Sequence, residues 1–303
     1  MTTPKFITYE QGEAALNWIG LTDALAKGHS LPKAEIEDSF LYRGDDTMLS
    51  RAAWIDGLGA LVKTATIFPG NSAVGKPAVN GAVALFSDAT GEAEAFVDFH
   101  LVTKWKTAGD SLLAARRLAR PESRNILILG AGTVAASLIG AYTAGFPGAS
   151  FTLWNRTAGR AAHLAEETGA RVAGDLEAAV AEADIIATAT MSTEPVLRGA
   201  CLQPGQHIDL IGAYRPDMRE ADDEVLKRAR LFVDSRDTTL GHIGELKDPL
   251  ARGVISESDV LADFYQPDLF RRESAEEITV AKNGGGAHLD LMTARHILDT
   301  VGA

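Results

Sequence analysis

The sequence predicts an α/β fold: a doubly wound parallel sheet joined to a discontinuous α+β domain that uses both ends of the chain. Three observations carry this. After residue 120, short apolar runs alternate with helical patterns, as a parallel sheet with helical crossovers requires. Asn125–Leu129, Ser150–Trp154, Ala183–Ala189 and His207–Ile211 read as strands, and Thr133–Ala144 and Ala158–Thr168 as helices. Before residue 120 the order differs. Residues 11–29 have helical spacing through Ala14, Ala15, Trp18, Leu21 and Leu25, while 58–67, 78–86 and Glu94–Phe99 read as strands around an Asp88-Ala89-Thr90-Gly91 turn. A helical pattern follows at 106–119. The third observation is a closing helical pattern at roughly 286–301, apolar at Leu289, Met292, Ile297 and Leu298, for which the N-terminal region is the expected partner. The change of character at Arg120-Pro121-Glu122-Ser123 sets the expected division: 1–119 with 286–303 for the discontinuous domain, and 120–285 for the parallel-sheet domain.

A chain of 303 residues accommodates two such domains. Its formal net charge of -12 disfavours nucleic acid and anionic membrane as partners. No apolar run approaches the roughly 18 residues a membrane span needs. The first ten residues lack the basic-then-apolar order of a signal peptide, and the single cysteine, Cys201, excludes an intrachain disulfide. The expectation is a soluble cytoplasmic protein. Cys201, in Gly199-Ala-Cys-Leu-Gln-Pro-Gly205, reads as structural.

The run Asn125-Ile-Leu-Ile-Leu-Gly130-Ala131-Gly132-Thr133-Val134-Ala135 passes from a strand through GxGxxA into a helix. The first glycine permits the tight turn, the second lets backbone approach a pyrophosphate, and the small third residue lets helix and strand pack closely. Unpaired N–H groups and the dipole at the helix start favour phosphate. With the following βα units present, this is a Rossmann dinucleotide site with Gly130, Ala131, Gly132, Thr133 and Val134 as contacts. The second strand ends in Trp154-Asn155-Arg156-Thr157, with Arg160 one turn on. An NAD site usually has a carboxylate there to hold the ribose hydroxyls. Two guanidiniums, an amide and a hydroxyl suit a 2′-phosphate instead, so NADPH is expected, with NADH possible.

The chain resembles the ornithine cyclodeaminase/mu-crystallin family over nearly its whole length. The resemblance rests on Lys63-Thr-Ala-Thr-Ile-Phe-Pro-Gly-Asn71, on Leu101-Val-Thr-Lys-Trp-Lys106-Thr107-Ala-Gly-Asp-Ser111, on the GxGxxA site, and on Lys282-Asn283-Gly-Gly-Gly-Ala-His-Leu-Asp290. It implies a Rossmann domain plus a dimerising substrate domain formed by both chain ends, hence a homodimer. Trp105-Lys106-Thr107 and Gly212-Ala213-Tyr214-Arg215-Pro216-Asp217-Met218-Arg219-Glu220 look most like the reductases of cyclic imino acids of the pyrroline-2-carboxylate type. Cyclodeaminases carry Asp at the position matched by Tyr214 and Arg at that of Lys106, so both departures speak against ornithine cyclisation. Thr107, Thr188, Thr190, Gly212 and Asn283 complete the expected cofactor contacts.

A cyclic imino acid needs a cationic clamp for its carboxylate, a C=N carbon facing the nicotinamide, and a protonated nitrogen when hydride arrives. The resemblance implies Arg43, Lys63 and Lys106 as the clamp, with Arg51 a rival for the place of Arg43. Lys63 sits in a strand of apolar and small residues, an expensive place for an unpaired ammonium. Lys106 could be a solvated cation, and Arg43, in Tyr-Arg-Gly-Asp-Asp, a loop salt bridge. Asn71 reads equally as a turn residue or a substrate partner. Tyr214, after the strand ending at Gly212, is expected to line the pocket; its phenol is a plausible acid but a poor base. His29, His100, His207, His242 and His288 lack metal-ligand spacing. Asp45-Asp46 and Asp222-Asp223 read as loop and helix-start acids, and no GxSxG is present. The leading expectation is an NADPH-dependent imine reductase yielding a cyclic L-amino acid such as L-proline. The alternatives are a cyclodeaminase with bound NAD, a non-catalytic binding protein on the same fold, and an open-chain amino-acid dehydrogenase.

Overall fold

The structure, a computed structural model, describes residues 3–302. The first stretch of chain forms β1 (Lys5–Ile7), α1 (Tyr9–Ala15), α2 (Trp18–Gly28), β2 (Glu35–Arg43), β3 (Asp46–Ile55), β4 (Gly59–Ile67), β5 (Val79–Phe86), β6 (Ala93–Val97) and α3 (Phe99–Leu118). Alternation follows with β7 (Asn125–Leu129), α4 (Thr133–Gly145), β8 (Ser150–Trp154), α5 (Ala158–Thr168), β9 (Arg171–Val172), α6 (Leu176–Glu182), β10 (Ile185–Thr188), β11 (His207–Leu210), α7 (Asp223–Arg228), β12 (Ala229–Val233), α8 (Arg236–Thr239), α9 (Gly244–Ala251), β13 (Val260–Ala262) and β14 (Ile278–Lys282). The last element is α10 (Ala287–Gly302). Two compact units result, one of Met1–Lys106 with Gly285–Ala303, the other Thr107–Gly284.

The first unit is built on a six-stranded sheet in the order β1-β6-β5-β4-β3-β2, antiparallel except for the β1–β6 pair. Period-two alternation sends Leu61 and Lys63 of β4, Val83 and Leu85 of β5, and Ala53 and Ile55 of β3 to one buried face. Helix α10 packs against β3, β4 and α2, and every residue from Ala287 to Ala294 is buried. The long β2–β3 hairpin was not among the expected strands. Its first strand mixes charged and apolar side chains with no clean alternation, and Gly44, with φ 58°, supplies the left-handed turn residue. The single helix expected at 11–29 is two. Leu16 is extended, and the Asn17 side chain caps α2 by accepting from Gly20 N–H at 2.7 Å.

The second unit is an eight-stranded, wholly parallel sheet in the order β13-β12-β14-β11-β10-β7-β8-β9. Its central strands are buried on both faces, as their continuous apolar runs require. Strand β7 lies between β8 and β10, so the chain turns outward in both directions from it, and this reversal is where such sheets bind ligands. The change of unit comes at Lys106/Thr107, inside α3, where the sequence suggested Arg120. The reason is packing: the 107–118 stretch buries Ala108, Leu112, Leu113, Ala115 and Leu118 within the second unit, with Leu112 against Gly145 and the Leu118 carbonyl held by Arg272 at 2.6 Å.

A polar chain runs through this second core. The Tyr142 hydroxyl donates to Asp209 Oδ2, which lies 3.3 Å from His207 Nε2. His207 Nδ1 is 2.9 Å from the Thr279 hydroxyl, which donates to Leu118 O. Burial, with the Asp209 charge beside it, pushes the Tyr142 phenol well above its ordinary range, so it remains a donor. Tyr142→Phe withdraws a donor from a buried carboxylate, and we expect it to cost about 1–3 kcal/mol in urea unfolding. An unchanged midpoint would show that the chain contributes nothing to stability.

Candidate active site

In the first unit, one sheet row and one helix bring charges together. Strand register aligns Asp38, Arg51 and Lys63 across β2, β3 and β4. The α3 segment adds Thr103 and Lys106, and α10 adds Asp290. Lys63 Nζ donates at 2.8 Å to Asp290 Oδ1 and at 2.8 Å to the Thr103 hydroxyl, and it stands 4.8 Å from the centre of the Phe99 ring. Arg51 forks onto Asp38 at 2.7 and 3.2 Å, donates to Gly285 O at 2.8 Å, and lies 3.6 Å from Asp290. Lys106 Nζ donates to the same Gly285 carbonyl at 3.1 Å. Gly285 adopts φ 67°, and a Cβ there would come within 2.8 Å of the Lys106 ammonium, so glycine is what allows the approach.

Among the described residues of this largely buried cluster, three cations, Arg51, Lys63 and Lys106, face two carboxylates, Asp38 and Asp290. Burial lowers the Lys63 ammonium to about 8 against the pull of Asp290, with Lys106 and Arg51 repelling it further. Burial alone would push the Asp290 carboxyl up, but the charges of Lys63, Lys106 and Arg51 hold it below the usual carboxylate range. An ammonium has three N–H donors, and Asp290 and Thr103 take two of those on Lys63. The cluster is thus suited to one carboxylate.

Two expected residues lie elsewhere in this unit. Arg43 ends β2 at the hairpin turn, largely exposed, and pairs with Asp46 at 2.8 Å. In β-register it pairs with Asp46, five positions along β3 from Arg51, so it does not join Lys63; Arg51 is the cation that stands beside Lys63. Asn71 stitches its own loop, donating from Nδ2 to Pro77 O at 3.0 Å. Asp290 escaped the sequence reading as a site residue, although a carboxylate between Leu289 and Leu291 on a buried helix was a visible signal.

The second unit carries the expected dinucleotide elements at the carboxyl ends of its strands. Gly130 has φ 122°, its N–H reaches Trp154 O at 2.8 Å, and a Cβ would come within 2.5 Å of Ala189 O. Gly132 is the N-cap of α4 and makes no side-chain capping bond, while a Cβ on it would meet nothing within 4 Å. Gly132 and Thr133 are exposed, and the first N–H groups of a helix have no partner within it, so this cradle fits a pyrophosphate. Ala131 precedes the cap. After β8, Asn155 donates to Thr157 O at 2.9 Å, and Arg156, Thr157 and Arg160 are exposed. Thr188 is fully buried, its hydroxyl directed at Asp209 O at 3.4 Å. Asn283 is held by Ser111 at 3.0 Å, and Thr107 is half-buried on α3. Tyr214 is half exposed, with the Arg215 guanidinium 5.7 Å from its ring centre. Thr190 and Gly212 follow adjacent strands and converge on one carboxylate, Glu220. Among the described residues no group of three or more His, Cys, Asp or Glu side chains is placed to hold a metal ion, and no helix is long and apolar enough to cross a membrane.

Known proteins are similar to this chain in sequence and fold. The chain is 52% identical over 305 residues to a Paracoccus denitrificans (strain Pd 1222) protein named Delta(1)-pyrroline-2-carboxylate reductase, with 98% of this chain and 96% of that one covered. It is 35% identical over 241 residues to the Mus musculus protein named ketimine reductase mu-crystallin, across 78% of this chain and 75% of the other. Among solved structures, the Thermococcus litoralis Delta(1)-pyrroline-2-carboxylate reductase in complex with NADH and L-proline shares the fold, with a TM-score of 0.89 at 23% identity over 98% of this chain and 97% of that one. Residues 52–303 match the model of one family. The chain belongs to the ornithine cyclodeaminase/mu-crystallin family.

Proposed function

We propose that the protein is an NAD(P)H-dependent imine oxidoreductase acting on CH–NH bonds, which reduces a cyclic imino acid of the Δ1-pyrroline-2-carboxylate type to a cyclic L-amino acid such as L-proline. The observation that carries this is the 52% identity, over nearly the full length, to the Paracoccus reductase. The ion cluster of the first unit supports it chemically, because Lys63 has one N–H beyond those given to Asp290 and Thr103, and Lys106 lies close by to add its charge to a substrate carboxylate.

A bound nicotinamide would supply the hydride. The protein's own residues bind and orient. The remaining N–H of Lys63 and the charges of Arg51 and Lys106 hold the carboxylate, which loses hydration on entering and regains it as charge-assisted bonds. Asp290 and Thr103 fix the Lys63 ammonium so that little reorganisation accompanies binding. The imine nitrogen takes a proton and its carbon takes the hydride, so one imine, one reduced cofactor and one proton give one amine and one oxidised cofactor.

NADPH is the proposed cofactor, on the strength of Asn155, Arg156, Thr157 and Arg160 in a position where a ribose-binding carboxylate would select NAD. A homodimer is proposed from the sheet of the first unit. The face opposite α10 leaves Phe6, Leu41, Met48, Trp54, Val62 and Phe96 exposed, with Phe6 and Phe96 stacked at 5.2 Å. A patch of that kind on a monomer calls for cover, and a second copy of the same sheet would provide it. The single cysteine is in keeping with a reducing cytoplasm.

Purified protein should oxidise NADPH with cyclic imino acids, and with ornithine and NAD it should release no ammonia; ammonia release with proline formation would make it a cyclodeaminase. Lys63→Ala should lower kcat/KM by about 10²–10³ while NADPH still binds, since breaking a buried charge pair costs about 3–5 kcal/mol. The clamp needs the ammonium, which exists below the Lys63 pKa of about 8, so kcat/KM should fall as pH rises through that value. A Lys63→Arg enzyme should lose this alkaline limb, and a limb unchanged in Lys63→Arg would remove Lys63 from the clamp.

Arg156→Ala should weaken NADPH and spare NADH, by about 1.5–3 kcal/mol for the lost charge-assisted bond. Equal kinetic constants for both cofactors in the parent enzyme would overturn the preference. Light scattering at micromolar concentration should return the mass of two chains, or a multiple of it, and Trp54→Glu should shift that mass toward one. A monomeric parent contradicts the dimer.

A further inference from the structure

Glu220 lies in the second unit, on the loop between β11 and α7, and is fully buried. Although its charge reaches the buried Lys282 ammonium, among the described residues its carboxylate pairs with no side-chain cation at contact distance. It accepts four hydrogen bonds instead. Oε1 accepts from the Thr190 N–H at 2.7 Å and from the Thr190 hydroxyl at 2.8 Å. Oε2 accepts from the Gly212 N–H at 2.6 Å and the Ala213 N–H at 3.2 Å. Four donors saturate a carboxylate's lone-pair directions. Thr190 follows β10 and Gly212 follows β11, so a single side chain ties the exits of two neighbouring strands together.

The tie has no slack. A Cβ on Gly212 would come within 2.0 Å of Thr190 O and 2.5 Å of Glu220 Oε1, so the two segments touch backbone to backbone. The clamp is itself clamped. Glu245 accepts from the Glu220 N–H at 2.7 Å and the Ala221 N–H at 3.0 Å, while the Glu220 carbonyl takes the Val196 and Leu197 N–H groups at 2.8 and 2.9 Å. Lys282, also fully buried, donates to Leu210 O, Ala213 O and Asn283 O at 2.9, 2.7 and 3.0 Å, so the loop after β11 is held through its carbonyls as well as its N–H groups. Burial and the neighbouring Glu220 charge raise the Glu245 carboxyl to about 7, as two buried acids sharing one ammonium should.

Position gives this assembly its meaning. In a doubly wound sheet the residues after the second strand hold the adenosine ribose, and the dinucleotide crosses the strand-order reversal. Here that second strand is β8, and the far side of β7 is β10 and then β11. The nicotinamide half therefore falls to the segments after β10 and β11. Both hydrogen-bonding donors of Thr190 are already spent on Glu220, and its hydroxyl oxygen accepts from the Ser192 N–H at 3.4 Å, so Thr190 can meet a cofactor only as an acceptor or through its methyl group.

We propose that Glu220 is a positioning residue for the nicotinamide half of the dinucleotide, locking Thr190 against Gly212–Ala213 so that together they form a fixed wall for the ring and its ribose. This rests on the dinucleotide-binding reading but not on the identity of the imine substrate. The adenosine half is served by the GxGxxA turn and by Asn155–Thr157, which Glu220 does not touch.

The test compares an intact cofactor with its truncated form. Glu220→Gln keeps the shape of the side chain but turns an –NH2 donor toward N–H groups. Thr190→Val keeps the shape of the threonine and removes one of its two bonds to Glu220, together with the long 3.4 Å bond its hydroxyl accepts from the Ser192 N–H. Affinity for NADPH, from its fluorescence, and for 2′-phospho-ADP-ribose, by calorimetry, is measured for parent and variants beside the melting temperature. For Glu220→Gln, NADPH should bind about tenfold more weakly, as the loss of a charge-assisted bond implies, while 2′-phospho-ADP-ribose stays within about twofold. Thr190→Val should show the same split at about threefold. Parallel weakening of both ligands, in step with a fall in melting temperature, would reduce Glu220 to a structural group and overturn the proposal, as would unchanged NADPH affinity in Thr190→Val. Because binding is read without turnover, a parent enzyme that fails to reduce cyclic imino acids would refute the substrate reading and leave this comparison decisive.

Discussion

An ammonium buried in the face of a β-sheet must find a counter-charge, and the Lys63–Asp290 pair meets that requirement for the first unit. The two residues are 227 positions apart. Strand β4 places Lys63 among apolar neighbours because β-alternation puts it on the same face as Leu61, and α10 returns from the end of the chain to cover that face. Without Asp290 the sheet row would carry two adjacent cations, Arg51 and Lys63, with Lys106 close enough to repel. Removing one partner of such a pair leaves an uncompensated buried charge and is strongly destabilising. The pair therefore explains why a domain made from both chain ends closes as it does.

The second unit solves a different problem with the same economy. A dinucleotide site needs backbone N–H groups that point outward and loops that do not collapse onto them. Gly130 and Gly132 clear the space, and the uncapped start of α4 leaves its donors available. Behind the segments that follow β10 and β11, Glu220 consumes the donors that would otherwise be left unsatisfied. Buried acids are usually a burden on stability, but here Glu220 and Glu245 together satisfy six donors, five of them backbone N–H groups, in a region without regular secondary structure. Loops held by side-chain acceptors can be rigid without adding strands to the sheet.

Local pattern determined a good deal. The parallel, doubly wound sheet, the GxGxxA turn, the missing ribose-binding acid and the family were legible because each is a matter of adjacent residues: strand runs buried on both faces, a glycine spacing, four residues after a strand. Membership of the discontinuous domain was also visible in the apolar stripe of the last helix. What only the tertiary structure decided were relations between distant residues. Arg51 rather than Arg43 stands beside Lys63 because strand register, not proximity in sequence, determines which cations share a row, and β2 read too irregularly to reveal the hairpin. The break at Asn17 came from a capping side chain that competes with a continuous apolar stripe. Asp290 and Glu220 stood in plain view but carried no local mark of their partners, since a buried carboxylate is recognisable only by the donors folded around it. Sequence periodicity determines which face a residue takes; what meets it on that face is decided by the packing of elements far apart in the chain.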